Sequence, residues 1–391
     1  MAFLTPLSTM LSRMDRWQTA SAVEEQFKVR DIDTVLREIR WNLSLPWTLT
    51  KGSLKVFTDV FEYPVATDHD ELAFLDNPRV KRYEDKPRFQ YLTHKDFLED
   101  PSNRNQLAEI WDQGTKYLGV RYTPTNLSST VVENAESATG WSVSGDATAV
   151  ALDNVMYYQG SGSIRVTIVN SSGTATVTTA LTTTISDSNY RKKYFFIRVY
   201  LDAAPTSVAL RFGNDVSNYL SASVTTQFSG QSFKADSWNY LAIDLNTATE
   251  TGTISSSAFD YQALVFTGAA SGTYFIDESY LREWTLMDYY YYSKYMVALT
   301  GSSVANQEYF FNSSEVYATD TSLIGDSEWA DLVVYMALEL TMADKENDKV
   351  KATIEAKRDK ALAALSRRYP DMVPLQSTVG WRFMTDYTIE Q

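Results

Sequence analysis

The sequence predicts an α+β multidomain protein, a discontinuous α-helical domain with a small β element, interrupted by an all-β sandwich. Three observations carry this. Apolar residues recur at helical spacing near both ends of the chain. Between them, after Tyr122-Thr123-Pro124, the composition shifts abruptly to Ser, Thr, Gly, Val and Ala, with no charged residue between Arg165 and Asp187. After Leu286 the helical text returns. The expected domains are therefore 1–125 with 287–391, and the sandwich at 128–286.

Met10, Met14 and Trp17 suggest a first helix, with Phe27 near the joint to a second. In Asp31 to Leu43, the residues Ile32, Val35, Leu36, Ile39 and Leu43 share one helical face, with Arg37, Glu38 and Arg40 between them; Pro46 stops the helix. From Ser53 the run LKVFTDVFEYPV reads as short strands after the Lys51-Gly52 turn. A polar, irregular stretch with Pro78 and Pro87 fills Thr67 to Asp100. A third helix is expected over Asn103 to Leu118, where Leu107, Ile110, Trp111 and Leu118 align behind an Asp100-Pro101-Ser102 opening.

The runs SIRVTIV, YFFIRVYL, SVALRF, WNYLAIDL, ALVFTG and TYFIDESYL are short, rich in β-branched and aromatic residues, and separated by turn residues. That is the text of a β-sandwich. Tyr289 to Leu299 reads as an aromatic strand. Asp326-Ser327 caps a helix striped by Trp329, Leu332, Val333, Met336 and Leu340. The last helix, Asn347 to Tyr369, carries Val350, Ile354, Ala361, Leu362 and Leu365 on one face and ends at Pro370. Such helices cannot bury their stripes alone, so front and back are expected to pack together, with the two ends of the sandwich side by side.

Composition narrows the function. An apolar fraction of 44% in 391 residues supplies buried cores, and no run approaches the ~20 apolar residues that span a bilayer. The start, MAFLTPLSTMLSRMDRW, has neither a basic leader nor an apolar signal core, so neither a membrane partner nor Sec export is expected. The absence of cysteine removes disulfides, thiolate metal sites and thiol nucleophiles. A net charge of -14 argues against holding nucleic acid by phosphate neutralisation. The 25 Tyr and 9 Trp point to well-filled cores or to extensive subunit interfaces.

Catalysis by histidine has only His69 and His94 to draw on, and neither sits beside a recognisable nucleophile. There is no P-loop and no GxGxxG. Asp68, Asp70 and Glu71 flank His69, but DHDE lacks a spacing that converges on one ion, and a solvated turn is the simpler reading. The expectation is that the protein is not an enzyme.

Two resemblances add to this. The helical pair EWADLVVYMALELTMADKENDKVKATIEAKRDKALAALSRRYPDM, with the front segment VRDIDTVLREIRWNLSLPWTLTKG, resembles the connector or adaptor proteins that join portal to tail in tailed phages. That family has a helix rich in small and apolar residues, a charged helix ending in an aromatic and a proline, then an extended tail. The segment Val131 to Leu281 resembles the galactose-binding-like jelly rolls of carbohydrate-binding modules. The matching pieces, in order, are VVENAESATGWSV, YYQGSGSIRVTI, SWNYLAIDL and GTYFIDESYL.

The first resemblance implies a structural virion protein at the neck, assembled in the host cytoplasm. It would form a homo-oligomeric ring of about twelve copies between portal protein and tail or neck proteins. DNA would pass its channel without specific binding, and the sandwich would be an outward decoration. The tail 371–391 would dock on a neighbouring subunit or the portal through Trp381, Phe383, Met384 and Tyr387; the alternative is folding back on its own domain. The second resemblance implies a structural Ca²⁺ near Glu133, Glu136 and Asp277, where first and last strands adjoin, with ordinary surface acids as the alternative. No other cofactor is expected. It also implies stacking of sugars on exposed aromatics. Trp141, Tyr157, Tyr158, Tyr219 and Trp238 are candidates; Trp141 and Trp238 occupy positions that normally pack the core, which leaves Tyr157 and Tyr158 as the expected glycan contacts. A glycan-binding protein that attaches to host polysaccharide is thus the alternative function.

Overall fold

The computed structural model describes residues 4–17, 25–42, 48–72, 90–99, 105–112, 114–122, 124, 127–299, 306–311, 317, 321–341 and 348–368. The front of the chain forms β1 (Leu4–Pro6), α1 (Leu7–Asp15), α2 (Glu25–Asn42), β2 (Leu49–Val56), β3 (Glu62–Pro64), β4 (His69–Leu72), β5 (Gln90–Leu92), α3 (His94–Glu99), β6 (Gln106–Asp112) and β7 (Thr115–Arg121). The middle forms β8 (Ser129–Glu133), β9 (Trp141–Gly145), β10 (Ala147–Asp153), β11 (Ser163–Ile168), β12 (Thr174–Ile185), β13 (Lys193–Leu201), β14 (Ser207–Asp215), β15 (Asn218–Val224), β16 (Ser237–Asp244), β17 (Thr249–Thr251), β18 (Phe259–Thr267) and β19 (Gly272–Glu283). The back forms β20 (Thr285–Ser293), β21 (Val297–Leu299), β22 (Thr321–Ile324), α4 (Ser327–Thr341) and α5 (Asp348–Arg368). Among the described residues, no helix is long and apolar enough to cross a membrane.

The chain divides into two compact units: Met1–Gly52, Thr67–Ala73 and Tyr290–Gln391 form one, Ser53–Ala66 and Phe74–Tyr289 the other. This differs from the expected boundaries, because the segments at 53–66 and 90–124 belong with the sandwich. Phe57 gives the reason. Its ring is fully buried against Tyr194, Phe196 and Phe228, with centroids 5.0, 4.9 and 5.7 Å away. Leaving these rings in water would cost more than ordering the short segment that covers them.

In the first unit, helices from the front and back of the sequence share one core. Leu7, Met10 and Met14 of α1, Ile32, Leu36 and Ile39 of α2, Trp329, Val333 and Ala337 of α4, and Ile354 and Leu365 of α5 belong to a single buried cluster. Asp326 caps α4 by accepting from the Trp329 amide at 2.9 Å. A small antiparallel sheet in the order β1-β22-β21 completes this unit, and β4 pairs with the end of β20 through Tyr291 and Leu72. Asp33, 3% exposed, accepts from the backbone amides of Phe310 and Phe311 at 2.9 and 2.8 Å and so fixes that segment to α2.

In the second unit, two sheets face each other. One runs β10-β11-β19-β13-β16 with β8 also paired to β19; the other runs β17-β15-β14-β18-β12-β9. Alternation along each strand fills the space between them. Phe195, Ile197, Val199 and Leu201 of β13 and Leu241 and Ile243 of β16 meet Leu210 and Phe212 of β14 and Leu264 and Phe266 of β18 in one core cluster. The expected β-sandwich is therefore present, and β8 against β19 brings its entry and exit together.

The expected helix over Asn103 to Leu118 is corrected. Residues 106–121 form the hairpin β6–β7, in a four-stranded sheet β3-β7-β6-β5. Gly114 turns with φ 79°, in the left-handed region. Leu107 and Ala108 are both fully buried, so neighbouring positions on opposite faces are covered and the two-residue period is hidden. The tail residues Trp381, Phe383, Met384 and Tyr387, the Asp100-Pro101-Ser102 opening and Pro370 lie outside the described residues.

Candidate functional site

Strand β13 reads Tyr194, Phe196, Arg198 and Tyr200 on the face opposite the core. Antiparallel register places these beside outward residues of β16, with Tyr194 opposite Asp244, Arg198 opposite Tyr240 and Tyr200 opposite Trp238. On the other side, Phe196 lies opposite Tyr280 and Tyr200 opposite Phe275 of β19. The outer face of this sheet is thus paved with rings over two regions. Under the 53–66 segment, Phe57 and Tyr63 close over Phe196 and Phe228. The Tyr63 hydroxyl ties the segment by donating to the Val60 carbonyl at 3.0 Å and accepting from the Phe57 amide at 2.9 Å.

The second region is open. Trp238 meets Tyr158 at 6.0 Å and Tyr200 at 5.8 Å, both edge to face, and Tyr200 meets Phe275 at 5.6 Å in the same way. Tyr158 is 50% exposed, and Trp238 and Tyr200 are half-buried. The Arg198 guanidinium lies over two rings, 3.7 Å from the centre of Tyr158 and 4.4 Å from that of Tyr240. This is a cation held flat against aromatic faces.

The loop that presents Tyr157 and Tyr158 is fixed by acids. Asp153 accepts from the Val155 and Met156 amides, both at 2.9 Å, and the buried Asp277 accepts from the Tyr158 and Gln159 amides at 2.6 and 3.1 Å. Glu136 accepts from the Ser161 amide at 2.7 Å and from its hydroxyl; these bonds hold its carboxyl below the usual carboxylate range. Gly160 sits between them at φ 76°, where a Cβ would collide with the Glu136 carboxylate.

The three acids named for a calcium site, Glu133, Glu136 and Asp277, all accept hydrogen bonds from the protein. Glu133 is engaged elsewhere, accepting from the Thr182 amide and hydroxyl at 3.1 and 2.9 Å. Each carboxylate spends its oxygens on N–H and O–H donors, and among the described residues no group of three acids or histidines could hold a metal. Two of the three anchor the tyrosine loop instead.

The other candidates separate cleanly. Trp141 is 7% exposed and belongs to the sandwich core. Tyr219 lies with Tyr261 on the outer face of the opposite sheet, 6.1 Å apart, under Arg211. Tyr157 is 42% exposed beside Tyr158. Trp238, expected in the core, faces outward, because Leu241 and Ile243 take the inward positions of β16 and Trp238 falls on the alternate phase. Sequence reading missed Arg198, Tyr200 and Phe275. The readable signal was the doubly apolar strand KYFFIRVYL, whose outward row carries one arginine among aromatics. Of the histidines, His69 is buried on β4 with its ring 5.1 Å from Tyr291, and His94 opens the short helix α3.

No protein-family model matches this sequence, and comparison with curated proteins gives no match. Among solved structures, the chain is similar over part of its length to carbohydrate-binding modules. A family 11 module from Clostridium thermocellum, in complex with a beta-1,3-1,4-mixed-linked tetrasaccharide, is 10% identical; the likeness covers 39% of this chain and 94% of that one, with a TM-score of 0.30. A family 30 module of a cellulosomal cellulase of the same organism is 11% identical, with 40% and 97% covered and a TM-score of 0.33. The C-terminal family 22 module of its Xyn10B is 18% identical, with 38% and 89% covered and a TM-score of 0.25. At such identities and scores, no ligand and no residue role is transferred from them to this chain.

Proposed function

We propose that this protein binds glycans through the open aromatic region on the outer face of its sandwich. The observation that carries the reading is the half-exposed row of Tyr158, Trp238 and Tyr200, backed by the buried Phe275 and flanked by Arg198 stacked on Tyr158, with Tyr158 held by a loop with fixed backbone. Sugar rings present apolar C–H faces that pack on the negative faces of aromatics, while their hydroxyls take hydrogen bonds from groups at the rim. Tyr157 and Tyr158 stand at the edge of this region, and the function needs no catalysis and no metal.

The test is binding of the full chain to an array of plant, bacterial and host-type polysaccharides, followed by affinity electrophoresis of Tyr158→Ala and Trp238→Ala. Binding by the wild type that weakens at least roughly tenfold in either variant, with the melting temperature retained, is the expected result. No binding across the array rejects the reading.

A second reading rests on the first unit. Helices from both ends of the sequence share one core. Here the chain is a virion neck subunit that forms a ring of about twelve copies on the portal, with tail proteins on its other side and DNA passing through unbound. The tail at 371–391 staples neighbours, and the sandwich is its decoration. Electron microscopy of particles, with symmetry left free, separates the two: a closed ring at the neck supports the connector, and copies confined to fibre tips reject it.

A further inference from the structure

We infer that the glycan site selects acidic sugars, with Arg198 as the residue that recognises a carboxylate; this rests on the glycan-binding reading above. The argument begins with charge pairing. Several cations of this unit are matched with carboxylates: Lys55 with Asp244 at 2.8 Å, Lys193 with Asp187 at 2.8 Å, Arg165 with Asp153 at 3.5 Å, and Arg191 with Glu250; Arg211 and Arg282 instead lie over tyrosine rings and bond to the Tyr261 side chain and the Thr58 carbonyl. Among the described residues, no carboxylate lies within ion-pair distance of Arg198 and no hydrogen bond ties it; its guanidinium is stacked on two tyrosine rings, with Glu62 and Glu278 interacting only at longer range.

An arginine stacked in this way has already lost most of its rotamer freedom, while the stacking consumes none of its five N–H donors. The fork therefore stays available at the edge of the ring sandwich, with a planar geometry that matches both oxygens of a carboxylate at once. A lysine could not reproduce either property. Glu62 and Glu278 lie within electrostatic reach of Arg198; burial pushes both carboxyls up from their ordinary values, and Glu278 also accepts from the Tyr280 hydroxyl.

The neighbouring rings supply the rest of the recognition. Tyr158 shares one face with Arg198 and stands at an edge-to-face angle of 74° to Trp238, so a sugar lying on Trp238 would bring a ring substituent towards the guanidinium. A carboxylate at the position of a hydroxymethyl group is the substituent that this fork fits. The ligand class is thus a uronic-acid-containing polysaccharide.

The experiment compares polygalacturonate, alginate and hyaluronate with their carboxyl-reduced forms and with a neutral mixed-linked glucan, using the full chain at low and high salt. The expected result is preference for at least one polyuronate over its reduced form by roughly tenfold or more, with binding weakened by salt. Arg198→Lys, which keeps the charge and removes the fork, is expected to abolish that preference at an unchanged melting temperature. Equal binding of acidic and reduced forms overturns the inference and leaves the glycan reading intact, as does binding confined to the neutral glucan. An unchanged preference in Arg198→Lys overturns the role of this residue. No binding to any of these polymers overturns the inference, and the wider array then decides whether the glycan reading falls with it.

Discussion

Replacing Asp33 by asparagine should remove the pH dependence that this buried carboxyl gives the helical unit, so that the variant gains on wild type as pH rises. Asp33 is 3% exposed, and burial pushes its pKa from 3.8 up to about 6, against the lowering effect of the Phe311 and Phe310 amides and of Arg37. The folded state therefore holds the proton more tightly than the unfolded chain does. The stabilising contribution is fully present below the unfolded value and is lost as pH rises through about 6. A change from 3.8 to about 6 corresponds to about 3 kcal/mol between the acid and alkaline limits. Asparagine removes the titration, but where both carboxylate oxygens accept from amides its Nδ2 can only donate, so one buried amide loses its acceptor at a pH-independent cost of about 1–3 kcal/mol. Relative to wild type, Asp33→Asn is then expected to gain about 1 kcal/mol from pH 4 to pH 5 and about 2.5 kcal/mol from pH 4 to pH 8. Urea unfolding of both proteins, followed by tryptophan fluorescence at these pH values, measures the difference directly. A difference between the two proteins that stays flat from pH 4 to pH 8, or falls as pH rises, would refute the reasoning; it would mean that burial does not raise the Asp33 carboxyl in the folded state.

Phe57→Ala should cost about 3–5 kcal/mol, because the lost ring is fully buried among three other aromatics; chemical denaturation of the sandwich unit reads this out. Glu133→Ala leaves the Thr182 amide and hydroxyl without their acceptor and should destabilise by about 2–4 kcal/mol. Chelation is expected to leave the wild-type melting temperature unchanged, and a fall on adding EDTA would support the calcium site. Gly213→Ala forces a Cβ onto the backbone of Asn218 and Tyr219 and should lower stability by about 1–3 kcal/mol, read by calorimetry.

The helical unit was legible because α1, α2, α4 and α5 each carry an apolar stripe of period 3.6, and the sandwich because its strands alternate between turns of small residues. The β6–β7 hairpin was not, since Leu107, Ile110, Trp111 and Leu118 satisfy helical spacing equally well. Only the coverage of both sheet faces distinguishes the two. The glycan candidates were half legible. Tyr157 and Tyr158 lie beside a turn that any reading finds, whereas the outward phase of Trp238 is set by register with β13, a property of two strands about forty residues apart. The acids near the first and last strands were found, but their partners are backbone amides, which sequence does not display.

The adjacency of β8 and β19 has a mechanical consequence. Ser129 lies opposite Arg282, and the Ser128 and Glu283 backbones bond to each other next to it, the Glu283 amide donating to the Ser128 carbonyl at 3.0 Å. A pull applied between Ser128 and Glu283 thus enters and leaves the two-sheet core across one antiparallel pair. Tension there loads the ladder one rung at a time, as in peeling tape, instead of shearing all its rungs together. The first strand would come away at low force while the two-sheet core stays folded, and it would close again once the load is removed. A sandwich closed in this way yields at its terminal strand before its core.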